Sequence, residues 1–354
     1  MKILVYDVAA EDGGGLLLLK EFHEAAKTAP SHIKWVFLTS LPELDETENV
    51  EVRRYPEVKQ SWKNRLRFEH KAMPKIIEEI QPDIVISLQN MPVKRCKVRQ
   101  FVYLHQSLQY CPKKFSFFKK EERALAIRQR LIGAIIKNAM PKAEHIFVQT
   151  QWIKDATCAW LKRPGEEVTV VPVKLREDVP VVPFAGEHSK DFFYPARAEV
   201  YKNHQAIIEA CKILHSRGIT GYRVILPLQP GGFTERIRQQ AKDLPIEILG
   251  ALSYEEVWKF YSKTTLLFPS YLETCGLPML EAKMAGSRIL ASDMPFSHEA
   301  LDGYPNARFF PYDDPEKLAD CMQEVILGQM TYVPASKETY NEQESLLSSM
   351  LSKV

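Results

Sequence analysis

The sequence predicts an α/β protein built from two doubly wound domains, each a parallel sheet covered by helices. Three observations lead to this class. The chain has 354 residues, which is too long for one hydrophobic core. Short, continuously apolar runs alternate with helical patterns, as they do in parallel sheets that are buried on both faces. The alternation stops over residues 172–190, a stretch rich in proline and valine that suits a connection between two domains.

The elements before this break predict a first domain over residues 1–172. Its strands are short apolar runs, and its helices show apolar residues at a spacing near 3.6. The predicted strands cover residues 3–8, 34–38, 84–88, 100–104 and 145–149, and the clearest helical patterns cover residues 15–29 and 67–80. Ligands of such sheets bind beyond the carboxyl ends of the strands, so we expect functional residues in the loops that follow them.

The elements after the break repeat the pattern. We predict a linker over residues 173–190, a second domain over residues 191–330, and a C-terminal segment over residues 331–354, whose residues 336–351 have a weak amphipathic pattern. The second domain's predicted strands cover residues 191–194, 222–227, 246–249, 265–269 and 288–291, and its helical patterns cover residues 205–215, 254–261 and 315–328. Paired domains of this kind are expected to face each other across a cleft that binds the ligand.

Composition narrows the class of protein. The chain is 45% hydrophobic and 26% charged, which is ordinary for a soluble globular protein. It contains no run of 18 or more apolar residues, so we expect no transmembrane helix. Its first residues lack the regions of a signal peptide, and its six cysteines are scattered without metal-binding spacing. These features predict a cytoplasmic protein with reduced thiols.

Positive charge is concentrated in one part of the chain. Residues 51–150 hold 21 Lys/Arg against 9 Asp/Glu, a net charge of +12, whereas residues 1–50 carry a net charge of −5. A basic surface suits phosphates, anionic lipids or nucleic acid, but we find no nucleic-acid-binding motif and expect no such partner.

Two neighbouring segments of this basic part lead to different expectations. Residues 113–120 (KKFSFFKK) interleave phenylalanine with lysine, which indicates contact with an anionic membrane surface. In the helix that follows, Ile127, Leu131 and Ile135 recur at four-residue intervals, and we predict that they pack against the core.

The strongest functional signal lies in residues 270–286, SYLETCGLPMLEAKMAG. Glu273 and Glu281 stand eight residues apart, and Gly276 and Pro278 between them mark a turn that opens a helix. The free N–H groups of a helix start bind phosphate, and carboxylates beside them accept hydrogen bonds from sugar hydroxyls. A phosphate site next to hydroxyl acceptors predicts a nucleotide-sugar site.

A pair of cations gives the second signal. Arg197 and Lys202 stand five residues apart, just beyond the predicted strand over residues 191–194. Two cations there would bind a diphosphate and stabilise the charge that develops on it as a glycosyl bond breaks. The chain has no Asp-x-Asp or HExxH motif, so we expect no metal site.

Together the two signals resemble the E-x7-E and R-x4-K motifs of the retaining family 4 glycosyltransferases (glycosyl transferases group 1), which have the GT-B architecture. The resemblance implies that Arg197 and Lys202 hold the donor diphosphate. It implies that Glu273 accepts from the donor sugar and that Glu281 accepts from the ribose. It also implies donor contacts from the segment between the two glutamates, at Thr274, Cys275, Gly276 and Leu277.

The resemblance reaches further into the predicted second domain. The turn made of Gly250, Ala251 and Leu252 would contact the nucleotide base through backbone groups, which leaves UDP and GDP donors undistinguished. The chain departs from the family pattern at Ala196 and Asn203, where glycine is common.

The resemblance also implies two sites in the predicted first domain. Gly14 and Gly15 would approach the donor phosphate, since glycine lacks a Cβ and permits close backbone contact; a plain turn is the alternative. His105 would lie near the donor sugar, although Gln106 replaces the aspartate that follows it in the family, and a structural histidine is the alternative. The family's last helix often returns to the first domain.

The sequence therefore predicts a retaining, metal-independent glycosyltransferase that uses a nucleotide-diphosphate sugar and no cofactor. Its predicted acceptor is a glycan linked to a lipid pyrophosphate, in the assembly of bacterial surface polysaccharide of capsule or O-antigen type. We expect it in the cytoplasm, peripherally on the cytoplasmic face of the inner membrane. Two alternatives stay open: a non-catalytic GT-B scaffold subunit, and a nucleotide-sugar epimerase of the same architecture.

Overall fold

The computed structural model describes residues 1–11, 13–173, 175, 181–334 and 345–353, which form two compact units. The first unit comprises Met1–Tyr110, Ala124–Pro172 and Glu342–Val354, and the second comprises Cys111–Arg123 and Val173–Asn341. Each unit is built on one sheet whose strands all pair in parallel, so the predicted α/β class with two Rossmann-like domains is confirmed. Parts of the predicted linker (174, 176–180) and C-terminal segment (335–344) lie outside the described residues.

The first unit's sheet has seven strands in the order β3-β2-β1-β4-β5-β6-β7. Their bounds are β1 Lys2–Asp7, β2 Lys34–Thr39, β3 Val50–Arg54, β4 Ile84–Ser87, β5 Arg99–Leu104, β6 His145–Val148 and β7 Val168–Val170. The two strands that the sequence did not predict, β3 and β7, are the edges of the sheet. Edge strands are only half covered, so they lack the continuous apolar run that marks the inner strands.

Among the described residues, six α-helices connect these strands, and a π-helical turn joins two pairs of them. The six helices are α1 Gly13–Lys27, α2 Trp62–Arg67, α3 Met73–Ile80, α4 Arg123–Ala126, α5 Gly133–Ala139 and α6 Gln151–Leu161. The π turn Phe68–Ala72 joins α2 to α3, and the π turn Ile127–Ile132 joins α4 to α5. Short 3-10 helices cover Pro56–Lys59, Leu108–Tyr110, Met140–Lys142, Gly165–Glu167 and, in the second unit, Val200–Lys202.

The second unit's sheet has six strands in the order β10-β9-β8-β11-β12-β13. Their bounds are β8 Phe192–Phe193, β9 Val224–Pro227, β10 Ile246–Leu249, β11 Thr265–Phe268, β12 Ile289–Ser292 and β13 Ala307–Phe310. The helices are α7 His204–Ser216, α8 Gly232–Gln240, α9 Tyr254–Tyr261, α10 Leu277–Ala285, α11 Pro295–Ala300 and α12 Pro315–Ile326. The strand order reverses between β8 and β11, which is where doubly wound sheets bind ligands.

The two faces of the first sheet have different covers. On one face, α1 and a last helix, α13 (Leu346–Leu351), enclose a core to which Leu347 and Met350 contribute. On the other face, α3 packs over β1, β2 and β4, while α5 and α6 pack over β5 and β6. No helix in the described part of the chain is both long and apolar enough to cross a membrane.

Two expectations about the basic part of the chain are corrected by the structure. Ile127, Leu131 and Ile135 are exposed, because other residues of the same helical segment are the buried ones: Leu125, Ala126, Gly133 and Ile136. Of the phenylalanines in residues 113–120, Phe115 is fully buried within the second unit and so cannot contact a membrane, whereas Phe118 is 94% exposed.

Candidate active site

The residues singled out in the second unit converge on one edge of its sheet. β8 and β11 are neighbouring parallel strands, so their carboxyl ends meet at the point where the strand order reverses. Arg197 and Lys202 follow β8, and Glu273 follows β11. The structure therefore brings the loops of both sequence signals to the position where this class of sheet binds ligands.

Lys202 and Glu273 form an ion pair at this edge. The Lys202 Nζ lies 2.6 Å from the Glu273 Oε1, and both side chains are largely buried. The ring centroid of Tyr201 lies 5.6 Å from the same Nζ. Each charged group is thus held in place by the other. A ligand that engaged both would offer a negative group to the lysine and hydroxyl donors to the carboxylate, as a sugar diphosphate does.

Arg197 lies in a tight turn between β8 and the 3-10 helix Val200–Lys202, and its side chain is exposed. The turn is closed by backbone hydrogen bonds, in which Ala196 N donates to Tyr194 O and Glu199 N donates to Arg197 O. A fixed backbone with an exposed guanidinium leaves the arginine able to meet an anionic ligand.

Asn203, a departure from the family pattern, adopts the left-handed conformation that explains why glycine is common there. Its φ is +59°, and asparagine is among the few non-glycine residues that enter this region readily. Its side-chain amide donates to Pro269 O at 3.2 Å and to Tyr312 O at 2.8 Å. The substitution therefore keeps the turn and adds hydrogen bonds that tie the β8 loop to the end of β11.

Gly276 caps the start of α10 in the left-handed conformation that favours glycine. Its φ is +67°, and a Cβ at this position would stand 2.4 Å from Met279 Cε. The turn directs the first N–H groups of α10 toward the loop that carries Glu273. Within that loop, burial raises the pKa of the Cys275 thiol, so Cys275 is a packed, protonated residue and no nucleophile.

Glu281 is oriented by two tyrosines that sequence reasoning missed. Its carboxylate is 8% exposed, and its Oε1 and Oε2 accept hydrogen bonds from the hydroxyls of Tyr254 and Tyr261, each at 2.8 Å. Both tyrosines lie on α9 and pack edge-on against Trp258 between them. Their spacing along one helix face was visible in the sequence, but nothing in the sequence identified α10 as their partner.

The predicted base-binding turn leads directly into this arrangement. Gly250, Ala251 and Leu252 follow β10, and Ser253 then caps α9 by accepting from the Glu256 N–H while the Glu256 carboxylate accepts from the Ser253 N–H. Tyr254 is the first residue of α9. Tyr254 therefore connects the turn of residues 250–252 to the carboxylate of Glu281.

Segment Cys111–Arg123 packs against the same edge of the second unit. The Lys113 Nζ lies 5.8 Å from the ring centroid of Tyr271, which precedes Glu273 by two residues. The buried carboxylate of Glu122 accepts from the Ser116 N–H at 2.8 Å, which holds the segment in a compact turn. The segment thus supports the loop that carries Glu273, a role that its sequence did not indicate.

In the first unit, His105 follows β5, next to the strand-order reversal between β1 and β4. Its backbone N–H donates to Asn90 Oδ1 at 2.8 Å, and its ring Nε2 lies 3.0 Å from Asn90 Nδ2 and 3.1 Å from Leu88 O. Burial lowers the pKa of His105, so the ring is neutral near pH 7. Asn90 and Leu88, in the loop after β4, therefore hold the His105 side chain in place.

Gly14 and Gly15 lie in the first turn of α1, and an added Cβ at either position would have no atom within 4 Å. Packing within the first unit therefore does not require glycine at these positions. Asp12, which precedes them, lies outside the described residues.

Comparison with known proteins finds a family match over part of the chain. Residues 176–342 match the family model for glycosyl transferases group 1. The chain is 22% identical over 190 residues to the O-antigen chain mannosyltransferase RfbU of Salmonella typhimurium, a match that covers 52% of this chain and 51% of that protein. It is 27% identical over 191 residues to the serotype-specific mannosyltransferase WbdA of Escherichia coli, covering 49% and 23%. The chain thus matches about half of the first relative's length and about a quarter of the second's.

Solved structures agree with the fold over most of the chain. The lipopolysaccharide outer core galactosyltransferase WaaB superposes with a TM-score of 0.65 at 16% identity, covering 94% of this chain and 92% of that chain. Anabaena HepE in complex with UDP-glucose superposes with a TM-score of 0.62 at 14% identity, covering 92% and 90%. These likenesses confirm the predicted fold class, which is the GT-B fold of glycosyltransferases.

Proposed function

We propose that this protein is a glycosyltransferase that moves a sugar from a nucleotide-diphosphate sugar to a glycan acceptor. The observation that carries the proposal is the meeting of Lys202 and Glu273 at 2.6 Å where the strand order of the second sheet reverses. A cation and a hydroxyl-accepting carboxylate at that position suit the two halves of a sugar diphosphate. The family match over residues 176–342 contains both residues and supports the same activity.

In this proposal each residue of the second unit has one role toward the donor. Arg197 and Lys202 hold the diphosphate, together with the first N–H groups of α10, and stabilise the charge that grows on it. Glu273 orients the donor sugar, and Glu281 accepts from the ribose hydroxyls. The two cations do the work of a metal ion, so we propose that the enzyme is metal-independent.

The proposed reaction retains the configuration at the transferred sugar. The acceptor hydroxyl attacks the anomeric carbon on the face that the diphosphate leaves, the bond from that carbon to the diphosphate oxygen breaks, and the leaving diphosphate takes the acceptor proton. No protein nucleophile is required, and catalysis comes from positioning and electrostatic stabilisation. We propose that His105, neutral and fixed, lies near the donor sugar, and that Gly14 and Gly15 leave room for the donor phosphate.

We propose further that the transferred sugar is mannose and that the acceptor is a lipid-linked glycan of surface-polysaccharide assembly. Both matched relatives are named as mannosyltransferases, and one is named for the O-antigen chain. A lipid-linked acceptor places the enzyme at the cytoplasmic face of a membrane. Within residues 113–120, Phe118 is 94% exposed, and Lys114 and Lys120 are exposed beside it.

A panel of radiolabelled nucleotide-sugars, incubated without acceptor, tests the activity. We expect slow release of sugar from one donor, most readily from a mannose nucleotide, and we expect the release to continue in excess chelator. Isothermal titration with UDP and GDP identifies the base independently of turnover. A protein that hydrolyses no donor and binds neither nucleotide would contradict the proposal and favour a scaffold subunit.

A further inference from the structure

The helical segment that runs from α4 through α5 presents an apolar stripe to solvent. Ile127, Leu131 and Ile135 are all exposed, Leu131 by 57%. They are spaced four residues apart, so they line one side of the helix, away from the residues that pack on the sheet. Three large apolar side chains in a row on a helix surface mark an interaction site rather than scattered surface residues.

Basic residues flank this stripe, and acidic residues are missing from it. Arg128, Arg130 and Lys137 are exposed along the same segment. The sequence contains no Asp or Glu from residue 123 to residue 143. An apolar stripe with a purely cationic border suits an anionic surface.

A second helix of the first unit has the same character. Trp62 and Leu66, one turn apart on α2, are 71% and 47% exposed. Lys63, Arg67 and Lys71 follow at four-residue intervals beside them, and all three are exposed. Tryptophan is favoured at membrane interfaces because its ring is apolar and its N–H finds a polar partner.

The two helical segments cover the same face of the first sheet. α3, which continues from α2, packs on Leu4 and Val85, and α5 packs on Val102 and Ile146. Leu4 pairs with Val85, Ser87 pairs with Val102, and Val102 pairs with Ile146, so these side chains point to one face. Both segments lead into strands of a parallel sheet, so both begin at its carboxyl edge. The exposed stripes therefore lie on the outside of one layer.

We propose that this layer, made of residues 62–71 and 127–137, is the surface through which the protein docks on an anionic membrane. Charge complementarity selects this partner, because residues 62–71 hold four Lys/Arg against one Glu, and residues 127–137 hold three Lys/Arg and no Asp or Glu. A second copy of the chain would oppose like charges across the contact, which disfavours a dimer. The apolar side chains enter the headgroup region while the cations hold anionic headgroups. The inference rests on the proposed lipid-linked acceptor and assigns the surface that reaches it.

Vesicle co-sedimentation of the full chain tests this surface. The probes are vesicles of phosphatidylcholine alone and of phosphatidylcholine with about one-third phosphatidylglycerol. The apolar variant is Trp62→Ser with Leu131→Ser, and the charge variant is Lys63→Gln with Arg67→Gln and Arg128→Gln. Phe118→Ser, which removes the exposed aromatic of residues 113–120, tests the competing surface, and Leu327→Ser, at a leucine of the second unit that is 50% exposed, is the control.

We expect the wild type to bind the anionic vesicles and not the neutral ones. The charge variant should lose about fivefold in affinity per cation removed, and the apolar variant should lose the binding that survives high salt. Leu327→Ser should bind like the wild type. The assignment is overturned if both layer variants bind normally, if Phe118→Ser alone abolishes binding, or if the wild type ignores anionic vesicles.

Two further measurements separate this inference from its competitors. Sedimentation velocity without lipid should find the wild type monomeric. If the wild type is a dimer and the apolar variant is a monomer, the layer binds a second copy of the chain and not a membrane. Nucleotide titration should give the same affinity for wild type and layer variants. Loss of vesicle binding with intact nucleotide binding supports the docking surface, whereas a wild type that binds vesicles but no nucleotide contradicts the proposed enzyme and not the surface.

Discussion

At the scale of single residues, neighbouring side chains fix the orientation of the charged groups of the site. Lys202 and Glu273 neutralise each other, and the carboxylate of Glu281 already accepts from two tyrosines. A charge pair that is largely buried is costly to break on one side, because the remaining charge loses its partner. In the proposed function, the donor would replace the Lys202–Glu273 contact with its own diphosphate and hydroxyl groups, which would select ligands that carry both.

The cation pair leads to a prediction about turnover. Arg197→Ala and Lys202→Ala should each lower donor turnover by roughly two to three orders of magnitude, as expected for the loss of one partner of the transition-state charge. Steady-state rates of donor hydrolysis measure the effect. Lys212→Ala, which removes an exposed lysine of α7 paired with Glu209, is the matched control and should keep the wild-type rate. Near-normal turnover in both site variants would exclude the assigned role.

The tyrosines predict an effect that is specific for the ribose. Tyr254→Phe should weaken binding of the cognate nucleoside diphosphate by about three- to tenfold, because Glu281 loses a charge-assisted hydrogen bond that fixes its orientation. Calorimetric titration with the 2′-deoxy analogue should reveal a smaller loss, since that ligand uses the carboxylate less. Tyr304→Phe, whose hydroxyl donates to Ser287 O, is the control. If both nucleotides lose the same affinity, Tyr254 has a packing role and does not act through the ribose.

At the scale of elements, the sequence predicted what strong local patterns encode. The inner strands are continuous apolar runs, and the start of α10 is marked by Gly276 before it and Pro278 in its first turn, so both were predictable. The stripe of Ile127, Leu131 and Ile135 was placed in the core because helical spacing does not tell which side of a helix meets the sheet. The contacts of Tyr254 with Glu281 depend on the packing of α9 against α10, which no local pattern encodes.

The turn that opens α10 predicts a stability effect. Gly276→Ala should lower the melting temperature by several degrees, because it combines a left-handed backbone with a contact to Met279 Cε. Adding Met279→Ala to this variant should not restore the wild-type melting temperature, since the backbone strain persists and a cavity is added. Gly232→Ala, at an open helical position, should be neutral or stabilising and serves as the control in thermal denaturation. An unchanged melting temperature for Gly276→Ala would contradict the described turn.

At the scale of the whole molecule, two buried titratable groups contribute to stability with opposite pH dependence. Burial raises the pKa of Asp7, in the first unit, to about 6, and burial lowers the pKa of His204, in the second unit, to about 3. Asp7 therefore binds an extra proton on folding between about pH 4 and 6, and its contribution to stability falls as pH rises through that window, whereas burial lowers the pKa of His145 in the same unit to about 4 and gives a contribution of the opposite sign. The folded second unit excludes a proton from His204, so the contribution of His204 to stability falls as pH drops.

The effect of His204 on stability at low pH can be tested directly. Neither ring nitrogen has a hydrogen-bond partner in the described structure, and the ring packs between Tyr194 and Phe233. The unfolded chain takes up a proton below its ordinary pKa of 6.5 while the folded chain does so only near 3, so stability should fall by about 1.4 kcal/mol per pH unit across this range. His204→Phe should abolish that slope and raise stability more at pH 4 than at pH 7. Urea denaturation at pH 7, 5 and 4 measures the difference, with the exposed His188→Phe as the control. Parallel stability curves for wild type and His204→Phe would mean that the folded protein accommodates a charged ring at this position.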